Sequence, residues 1–229
     1  LLCIVMAFAM IMAAPLTALA DDSRPYLALG ADLSESEKAT VLEKLGIGQD
    51  DLSSYDVITI TNQDEKNYLG DYMSENVIGG RSLSSVLITK NKAGSGIHVT
   101  THNITYCTTG MYRNALITAG ITDANVVVAG PFDISGTAAL VGALKAYETM
   151  TGETVSEESI DAAVNELVTT GSIADTLGDS EKVEQLMALA KQYVVEGNLN
   201  SEEDIMKAIE QASKELNITL SDSQRSQIS

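Results

Sequence analysis

The chain has 229 residues and carries 32 Asp and Glu against 14 Lys and Arg, for a formal net charge of −18. A chain this acidic repels phosphate backbones and has no basic stripe to offset the repulsion, which excludes nucleic acid as a partner. Apolar residues make up 45% of the sequence, which excludes global disorder and suffices for a substantial core.

The first twenty residues contain no charged side chain and are followed at once by two aspartates. Ala18-Leu19-Ala20 supplies the small residues that a signal peptidase accepts, which predicts a signal peptide over 1–20 with cleavage after Ala20. A retained membrane anchor is the alternative, since roughly 20 apolar residues also span a bilayer, although Pro15 interrupts the segment. We therefore expect a secreted or cell-envelope-associated protein that has no membrane contact after cleavage.

Five strands are predicted in the first part of the mature chain, at 26–29, 55–61, 82–89, 97–105 and 124–129. Segments such as YDVITIT at 55–61 have the density of β-branched residues that strands favour. The turn cluster NKAGSG at 91–96 predicts that the strands on either side of it form a hairpin. The run ANVVVA at 124–129 shows no polar alternation. It predicts a central strand with Val126, Val127 and Val128 all buried.

Helices are predicted between and after these strands. Ser34 and Glu37 have the spacing of a capping box, and Gly46 is placed to end the helix that they begin. Asn62 is placed to cap a short helix that ends near 69. Further helices are expected over 109–119 and from Ser135 to about residue 150.

The sequence changes character after Gly152, since no strand-like run appears again. Amphipathic helices follow, with serines as expected N-caps and glycines at the expected ends (Ser156, Ser180, Ser201; Gly171, Gly197). The fold class predicted is α/β or α+β, a mixed sheet with flanking helices over 24–151, followed by an all-helical C-terminal region over 153–229.

Both ends of the sequence suggest a longer natural protein. The chain begins at Leu1 rather than Met, and it lacks the basic segment that precedes the apolar part of a signal peptide. A Leu-Ser helix start at Ser221 predicts a last helix, and the sequence stops inside it at Ser229. We therefore expect truncation at both termini.

No metal, cofactor or catalytic residue is assigned from the sequence. His98 and His102 lie four residues apart on one predicted strand, about 13 Å at ~3.3 Å per residue, which is too far for one ion to bridge. Cys107 has no partner for an internal disulfide in the mature chain, and its apolar-aromatic strand is typical of a small buried hydrophobe. The sequence also lacks the S-x-x-K, G-x-S-x-G and H-E-x-x-H motifs.

Two segments are candidate ligand-binding sites. His102 and Asn103 belong to an unusually polar strand, which is either a binding face or ordinary exposed sheet. Ser135, Gly136 and Thr137 follow an apolar strand and open a helix, so their free backbone N–H groups and the helix dipole can hold a small anion. Plain capping of the helix is the alternative, and the segment is not a nucleotide-binding loop because the required Gly and Lys are absent.

These observations favour a non-enzymatic binding or structural protein whose partner is an unknown protein or a small molecule. The alternative is an extracellular hydrolase with an unrecognised site, in which His102 acts with Ser135 or Thr137. The two hypotheses separate on geometry, because the hydrolase requires His102 and Ser135 on the same face of the sheet.

Several motifs taken together resemble the YpuA-like secreted proteins of Gram-positive bacteria. They are TITNQDE at 59–65, RSLSSV at 81–86, GSGI at 94–97, THNIT at 101–105, NALITAGI at 114–121, AGPF at 129–132 and SGTAAL at 135–140. The resemblance covers about 24–229 and implies a secreted or envelope location. That family is catalogued as a domain of unknown function, so the resemblance supplies no substrate and no catalytic residues. Its members continue past the point where this sequence ends, in agreement with truncation.

Overall fold

The computed structural model describes residues 24–118, 120–151 and 156–229, and the predicted signal peptide lies outside them. The strands are β1 (Tyr26–Gly30), β2 (Asp56–Ile60), β3 (Ser85–Lys90), β4 (Ile97–Ile104) and β5 (Ala124–Ile134). The helices are α1 (Glu35–Leu45), α2 (Asn62–Leu69), α3 (Glu75–Ile78), α4 (Thr109–Thr118), α5 (Thr137–Thr151), α6 (Glu157–Leu177), α7 (Ser180–Glu196), α8 (Glu202–Glu215) and α9 (Asp222–Ile228), with a 3₁₀ helix at Gln49–Ser54. The predicted fold class is confirmed, as a mixed sheet with flanking helices is followed by a helical C-terminal region.

The five strands form one sheet in the order β2-β1-β3-β5-β4. The pairs β1–β2 and β4–β5 are parallel, and β3 runs antiparallel to both β1 and β5. Four strands therefore end at the same edge of the sheet, at which β3 begins. We call this the carboxyl edge.

The predicted hairpin between the third and fourth strands is wrong, because β5 lies between them. The physical reason is the polarity of β4, whose His and Thr side chains keep their hydration at the edge of the sheet. The strongly apolar β5 takes the inner position and is hydrogen-bonded on both sides.

The two faces of the sheet are covered to different extents. On one face α1 packs over β1, β3 and β5, and on the other α4, α5 and part of α6 enclose the larger core. Val126 and Val128 are buried in that larger core as predicted, with Val128 0% exposed. Val127 points to the α1 face and is only partly buried, so the prediction for this residue is wrong. A single helix does not shield the whole width of a sheet face.

Local capping chemistry decides where several helices start. The Ser34 N–H donates to the Glu37 carboxylate at 2.8 Å, and the predicted capping box of α1 is confirmed. The predicted last helix is also present, with Ser221 and Gln224 forming the same motif at the start of α9. Gly46 ends α1 in the left-handed conformation, as expected.

Two other N-caps lie one residue before the predicted ones. Thr61, rather than Asn62, caps α2, and its backbone N–H donates to Asp64 at 2.8 Å. Asp179, rather than Ser180, caps α7 through a hydrogen bond from the Lys182 amide. In each case the neighbouring residue can also cap, so the sequence alone does not fix the starting position.

Gly171 does not end a helix, because α6 continues through it to Leu177 and ends at Gly178. A Cβ at Gly171 would lie 2.5 Å from the Tyr106 hydroxyl oxygen. The glycine is therefore a point of close packing between α6 and the segment that follows β4.

Helix α6 contributes to two apolar cores. Its first half joins the larger core through Ala163, Val164 and Leu167, where it packs mainly against α4. Its second half joins a core made with α7, α8 and α9, which includes Ile173, Val183, Leu186, Ile209 and Leu220. The helical region predicted over 153–229 thus shares its first helix with the core of the sheet. None of the described helices combines the length and hydrophobicity needed to cross a bilayer.

Candidate ligand-binding cavity

A cavity of about 500 Å³ opens at the carboxyl edge of the sheet. Four segments line it: α2 through Glu65, residues 76–81 and 83–84 before β3, residues 105–106 after β4, and residues 132 and 134–138 at the end of β5 and the start of α5. In open α/β sheets this edge is where ligands bind, because loops from several strands converge there. We call it the Glu65 cavity after its most buried charged residue.

Glu65 brings a carboxyl group into the interior. The residue is 1% exposed, and its two oxygens accept hydrogen bonds from Thr137 Oγ1 at 3.1 Å and from Asn62 Nδ2 at 3.4 Å. In the part of the chain that the structure describes, no ion pair links Glu65 to a Lys or Arg. Burial raises the pKa of Glu65 to about 7, against the opposing effect of its hydrogen bonds.

Two residues of neighbouring loops also act on Glu65. The Ser82 hydroxyl is buried without a hydrogen bond of ordinary geometry, yet it is near enough to the Glu65 carboxylate to lower the pKa of that group. Asp32, which follows β1, adds negative charge and acts in the opposite direction. Asp32 also accepts a hydrogen bond from the Ser82 amide at 2.7 Å, which joins the loop after β1 to the loop before β3.

The start of α5 forms one wall of the cavity, and Ser84 caps it. The Ala139 amide donates to Ser84 Oγ at 3.0 Å, and the Tyr112 hydroxyl donates to the carbonyl of Gly136. Gly136 has φ 94°, and a Cβ there would lie 2.6 Å from both Ile104 Cγ2 and the Tyr112 hydroxyl oxygen. Only glycine therefore fits this turn.

The predicted helix start at Ser135 is wrong by two residues, because β5 continues to Ile134 and α5 begins at Thr137. The physical reason is the extended pairing with β4, in which the Thr105 amide donates to the Ile134 carbonyl at 2.9 Å. The Cys107 amide continues the pattern by donating to the Ser135 carbonyl at 3.0 Å.

A carboxyl group lies at the predicted anion-binding segment 135–137. We expected free N–H groups and a helix dipole to attract a small anion there, and that expectation stays a prediction. Thr137 Oγ1 donates to Glu65 at this helix end. When Glu65 is ionised, an anion bound there lies beside a like charge.

The predicted binding residues divide into two groups. Ser135, Gly136 and Thr137 line the Glu65 cavity, whereas His102 and Asn103 do not. Asn103 has φ 57° at a bulge of β4, and its side chain donates to the Gly130 carbonyl at 3.0 Å, so it holds the bulge.

The placement of His102 bears on the hydrolase alternative. It pairs with Ala129, a residue of the core under α1, so it lies on the α1 face of the sheet. Ser135 lies in the turn that leads to α5 on the other side. Within the described ranges no hydrogen bond joins His102 to Ser135 or Thr137.

Cys107 is not a candidate nucleophile. Burial raises the pKa of Cys107 to about 12, which leaves this thiol unreactive.

Glu65, Ser84 and Arg81 belong to the site but are not among the residues predicted from the sequence. Arg81 lies at the rim, where Nη2 donates to the Asp32 carbonyl and the Glu37 carboxylate, both at 2.8 Å. That contact holds the pKa of Glu37 near 2. Glu65 follows β2 along the chain, and Arg81 and Ser84 precede β3, which is the sequence signal that could have indicated them. Only the strand order shows that the end of β2 and the start of β3 lie at the same edge of the sheet.

Residues 29–229 match the family described as "Protein of unknown function (DUF1002)". The chain belongs to the DUF1002 family. It is 43% identical over 200 residues to the uncharacterized protein YpuA of Bacillus subtilis (strain 168), an alignment that covers 87% of this chain and 68% of YpuA. No solved structure matches it. The resemblance to YpuA-like proteins is thus confirmed, and the Glu65 cavity is a feature of a DUF1002 domain.

Proposed function

We propose that this DUF1002 chain is a secreted or cell-envelope-associated protein that binds a small-molecule ligand in the Glu65 cavity without transforming it. The observation that carries the proposal is the buried Glu65 carboxyl group, which lines a cavity of about 500 Å³ and has no ion-pair partner among the described residues. This volume lies in the range of pockets that bind small molecules.

Burying Glu65 costs free energy. Taking a carboxylate out of water without a countercharge is unfavourable, and the raised pKa of Glu65 is the expression of that cost. A buried amide or aliphatic side chain at this position avoids the cost. A strongly perturbed carboxyl group in a cleft is typical of functional sites, where a ligand supplies the missing interaction.

Binding without catalysis is favoured by what surrounds the carboxyl group. A hydroxyl beside it, that of Thr137, donates to Glu65. His102 lies on the other side of the sheet, so it does not supply the base that a Ser or Thr nucleophile requires. The hydrolase alternative, in which His102 acts with Ser135 or Thr137, therefore has no assembled pair of those residues in the part of the chain that the structure describes.

The proposed location rests on the sequence. The uncharged segment 1–20 and the small residues before Asp21 have the pattern of a cleaved signal peptide. The resemblance to YpuA-like secreted proteins supports the same location. The site would then be exposed to molecules outside the cytoplasmic membrane.

The test is a fragment screen by protein NMR on the exported protein, with a plugged variant beside it. Ser135→Trp places a large ring in the cavity mouth, and Asp133→Trp is the matched control because Asp133 is exposed and does not line the cavity. We expect hits that shift the amide signals of Gly136 and Thr137 in the wild-type protein and in the control, but not in the plugged variant. The proposal is wrong if no fragment shifts these signals, or if hits bind the plugged variant equally well.

A further inference from the structure

The charged groups of the Glu65 cavity are few and lie at different depths. Among the lining residues that the structure describes, Glu65 is the acidic residue and Arg81 is the basic residue. Glu65 is 1% exposed, whereas Arg81 lies at the surface and is already engaged with Glu37. The interior of the cavity is therefore acidic, and the positive charge is confined to the rim.

Part of the remaining wall is apolar and part is polar. The apolar part consists of Val77, Ile78 and Leu83 on the side of α3 and the β3 loop, and of Phe132 and Ile134 on the side of β5. Phe132 is 49% exposed although it is a large aromatic residue. An apolar group that enters the cavity would shield it from water, which is favourable in proportion to the area covered.

The hydrogen-bond inventory of Glu65 is incomplete. An ionised carboxylate offers about four acceptor positions. In the described structure Thr137 fills one at 3.1 Å, Asn62 reaches a second at the long distance of 3.4 Å, and the buried Ser82 hydroxyl lies beside the carboxylate as a third donor. All three donors are neutral, so the partner that the carboxylate lacks is one with positive charge.

We propose that the Glu65 cavity selects ligands that carry a primary ammonium group next to an apolar body, with the ammonium group on the Glu65 carboxylate. The inference rests on the proposed function and names the class of ligand. A primary ammonium group brings three N–H donors and a positive charge, which match the open acceptor positions. A carboxylate or phosphate ligand meets the charge of Glu65, and a neutral alcohol leaves that charge uncompensated.

Because the ammonium group requires ionised Glu65, affinity depends on pH. The groups that face Glu65 from the surrounding elements are Asp32 after β1, Tyr112 on α4, Thr137 on α5 and Arg81 at the rim. Burial keeps the pKa of Tyr112 well above its ordinary value, so this phenol stays neutral near pH 7. With Glu65 near a pKa of 7, most of its ionisation falls between pH 5.5 and pH 8. We expect affinity to rise at least ~10-fold over that interval.

The probes are butylammonium, 1-butanol and butyrate, which share an apolar chain and differ in the head group. Binding to the exported protein is measured at pH 5.5 and pH 8 by NMR titration of the Gly136 and Thr137 amides, in a buffer that contains no amine. The alkylammonium group stays protonated at both pH values, since such amines have a pKa of about 10.4. We expect butylammonium to bind at least ~10-fold tighter than butanol at pH 8, and this preference to vanish at pH 5.5.

The same titrations are repeated on the variant Glu65→Gln. Glu75→Gln is the control, because Glu75 is exposed on α3 and does not line the cavity. The preference for butylammonium should disappear in Glu65→Gln and persist in Glu75→Gln. If Glu65→Gln does not fold, the pH dependence of the wild-type protein decides the question by itself.

The outcomes separate this inference from the proposed function. Equal binding of butylammonium and butanol at pH 8, tighter binding of butyrate, or a preference retained in Glu65→Gln overturns the ammonium assignment. If butanol still binds in the cavity and Ser135→Trp blocks that binding, the proposed function stands although the ammonium assignment is wrong. If none of the probes and no fragment binds the wild-type cavity, both are wrong.

Discussion

Glu166 on α6 forms an ion pair with Lys191 on α7, with Oε1 and Nζ 2.9 Å apart. Glu166 is 7% exposed, and the Thr118 hydroxyl on α4 donates to the same carboxylate. Lys191 Nζ also donates to the Asn114 carbonyl at 3.1 Å. This network ties the core of the sheet to the helices of the C-terminal region.

Removal of one partner from this buried pair should be costly. We expect Lys191→Met to lower the free energy of unfolding by about 3 kcal/mol, because it leaves the Glu166 carboxylate buried and unpaired. The double variant Glu166→Met/Lys191→Met should recover most of the loss, since no uncompensated charge remains. Urea denaturation measures both. The exposed pair of Lys207 and Glu203 is the control, and Lys207→Met should change stability by less than ~0.5 kcal/mol. Equal losses in the single and double variants would contradict the prediction.

Protein stability should decrease as the pH rises from about 5 to 8. The pKa of Glu65 is raised from its ordinary value of 4.5 to about 7 in the folded protein. Between these values the folded chain keeps a proton that the unfolded chain releases, so ionisation of Glu65 costs about 2 to 3 kcal/mol of folding free energy by pH 8. In Glu65→Gln this component is absent, and the variant should be more stable than the wild-type protein at pH 8. Urea melts at several pH values measure the slope, and a wild-type protein that gains stability from pH 5 to 8 would refute the prediction.

At lower pH the dependence of stability on pH is reversed, and stability falls as the pH falls. Asp64 has its pKa lowered to about 2 by hydrogen bonds from Lys145 and Thr61, and Glu37 has its pKa lowered to about 2 by Arg81. Their contributions are fully present above the ordinary carboxyl pKa and are lost as the pH falls toward 2. We therefore expect a stability maximum near pH 5, and in Asp64→Asn a weaker loss on acidification below pH 4.

The two faces of β5 should respond differently to a buried hydroxyl group. Val128 is fully buried in the larger core, whereas Val127 is partly exposed on the α1 face. We expect Val128→Thr to cost about 2 kcal/mol, because its hydroxyl has no partner there, and Val127→Thr to cost less than ~0.5 kcal/mol. Both changes replace one methyl group by a hydroxyl group, so the difference between their urea midpoints measures the difference in burial of the two positions. Equal midpoints would show that both valines are shielded to the same extent.

Ser84, rather than Ser135, should carry the N-terminal capping energy of α5. Its hydroxyl accepts from the Ala139 amide at 3.0 Å, whereas Ser135 Oγ reaches only Thr137 Oγ1 at 3.5 Å. We expect Ser84→Ala to lower the free energy of unfolding by about 1 kcal/mol, and Ser135→Ala by less than ~0.5 kcal/mol. Thermal and urea denaturation of the two variants decide between them, and a larger loss in Ser135→Ala would reverse the assignment.

Processing of the exported protein should yield Asp21 as its first residue. The prediction rests on Ala18-Leu19-Ala20 and the uncharged segment before it. Mass spectrometry of protein recovered from the medium or cell envelope checks it. As a control, Ala18→Arg and Ala20→Arg should block cleavage. An uncleaved chain in the membrane fraction would favour the retained anchor instead.

The sequence by itself determined what depends on neighbouring residues. The capping box of Ser34 and Glu37, the repeated motif at Ser221 and the apolar run of β5 are local patterns, and each fixes an element because its hydrogen bonds or side chains lie within one turn or one strand.

Only the tertiary structure decided the strand order and the site. The hairpin between β3 and β4 was reasonable from their separation along the chain, but β5 gains more by burial between them. The same insertion brings the ends of β2, β4 and β5 to one edge with the start of β3. Glu65 becomes buried there because α2 and α5 pack together over it, a contact between residues more than seventy positions apart that no local pattern encodes.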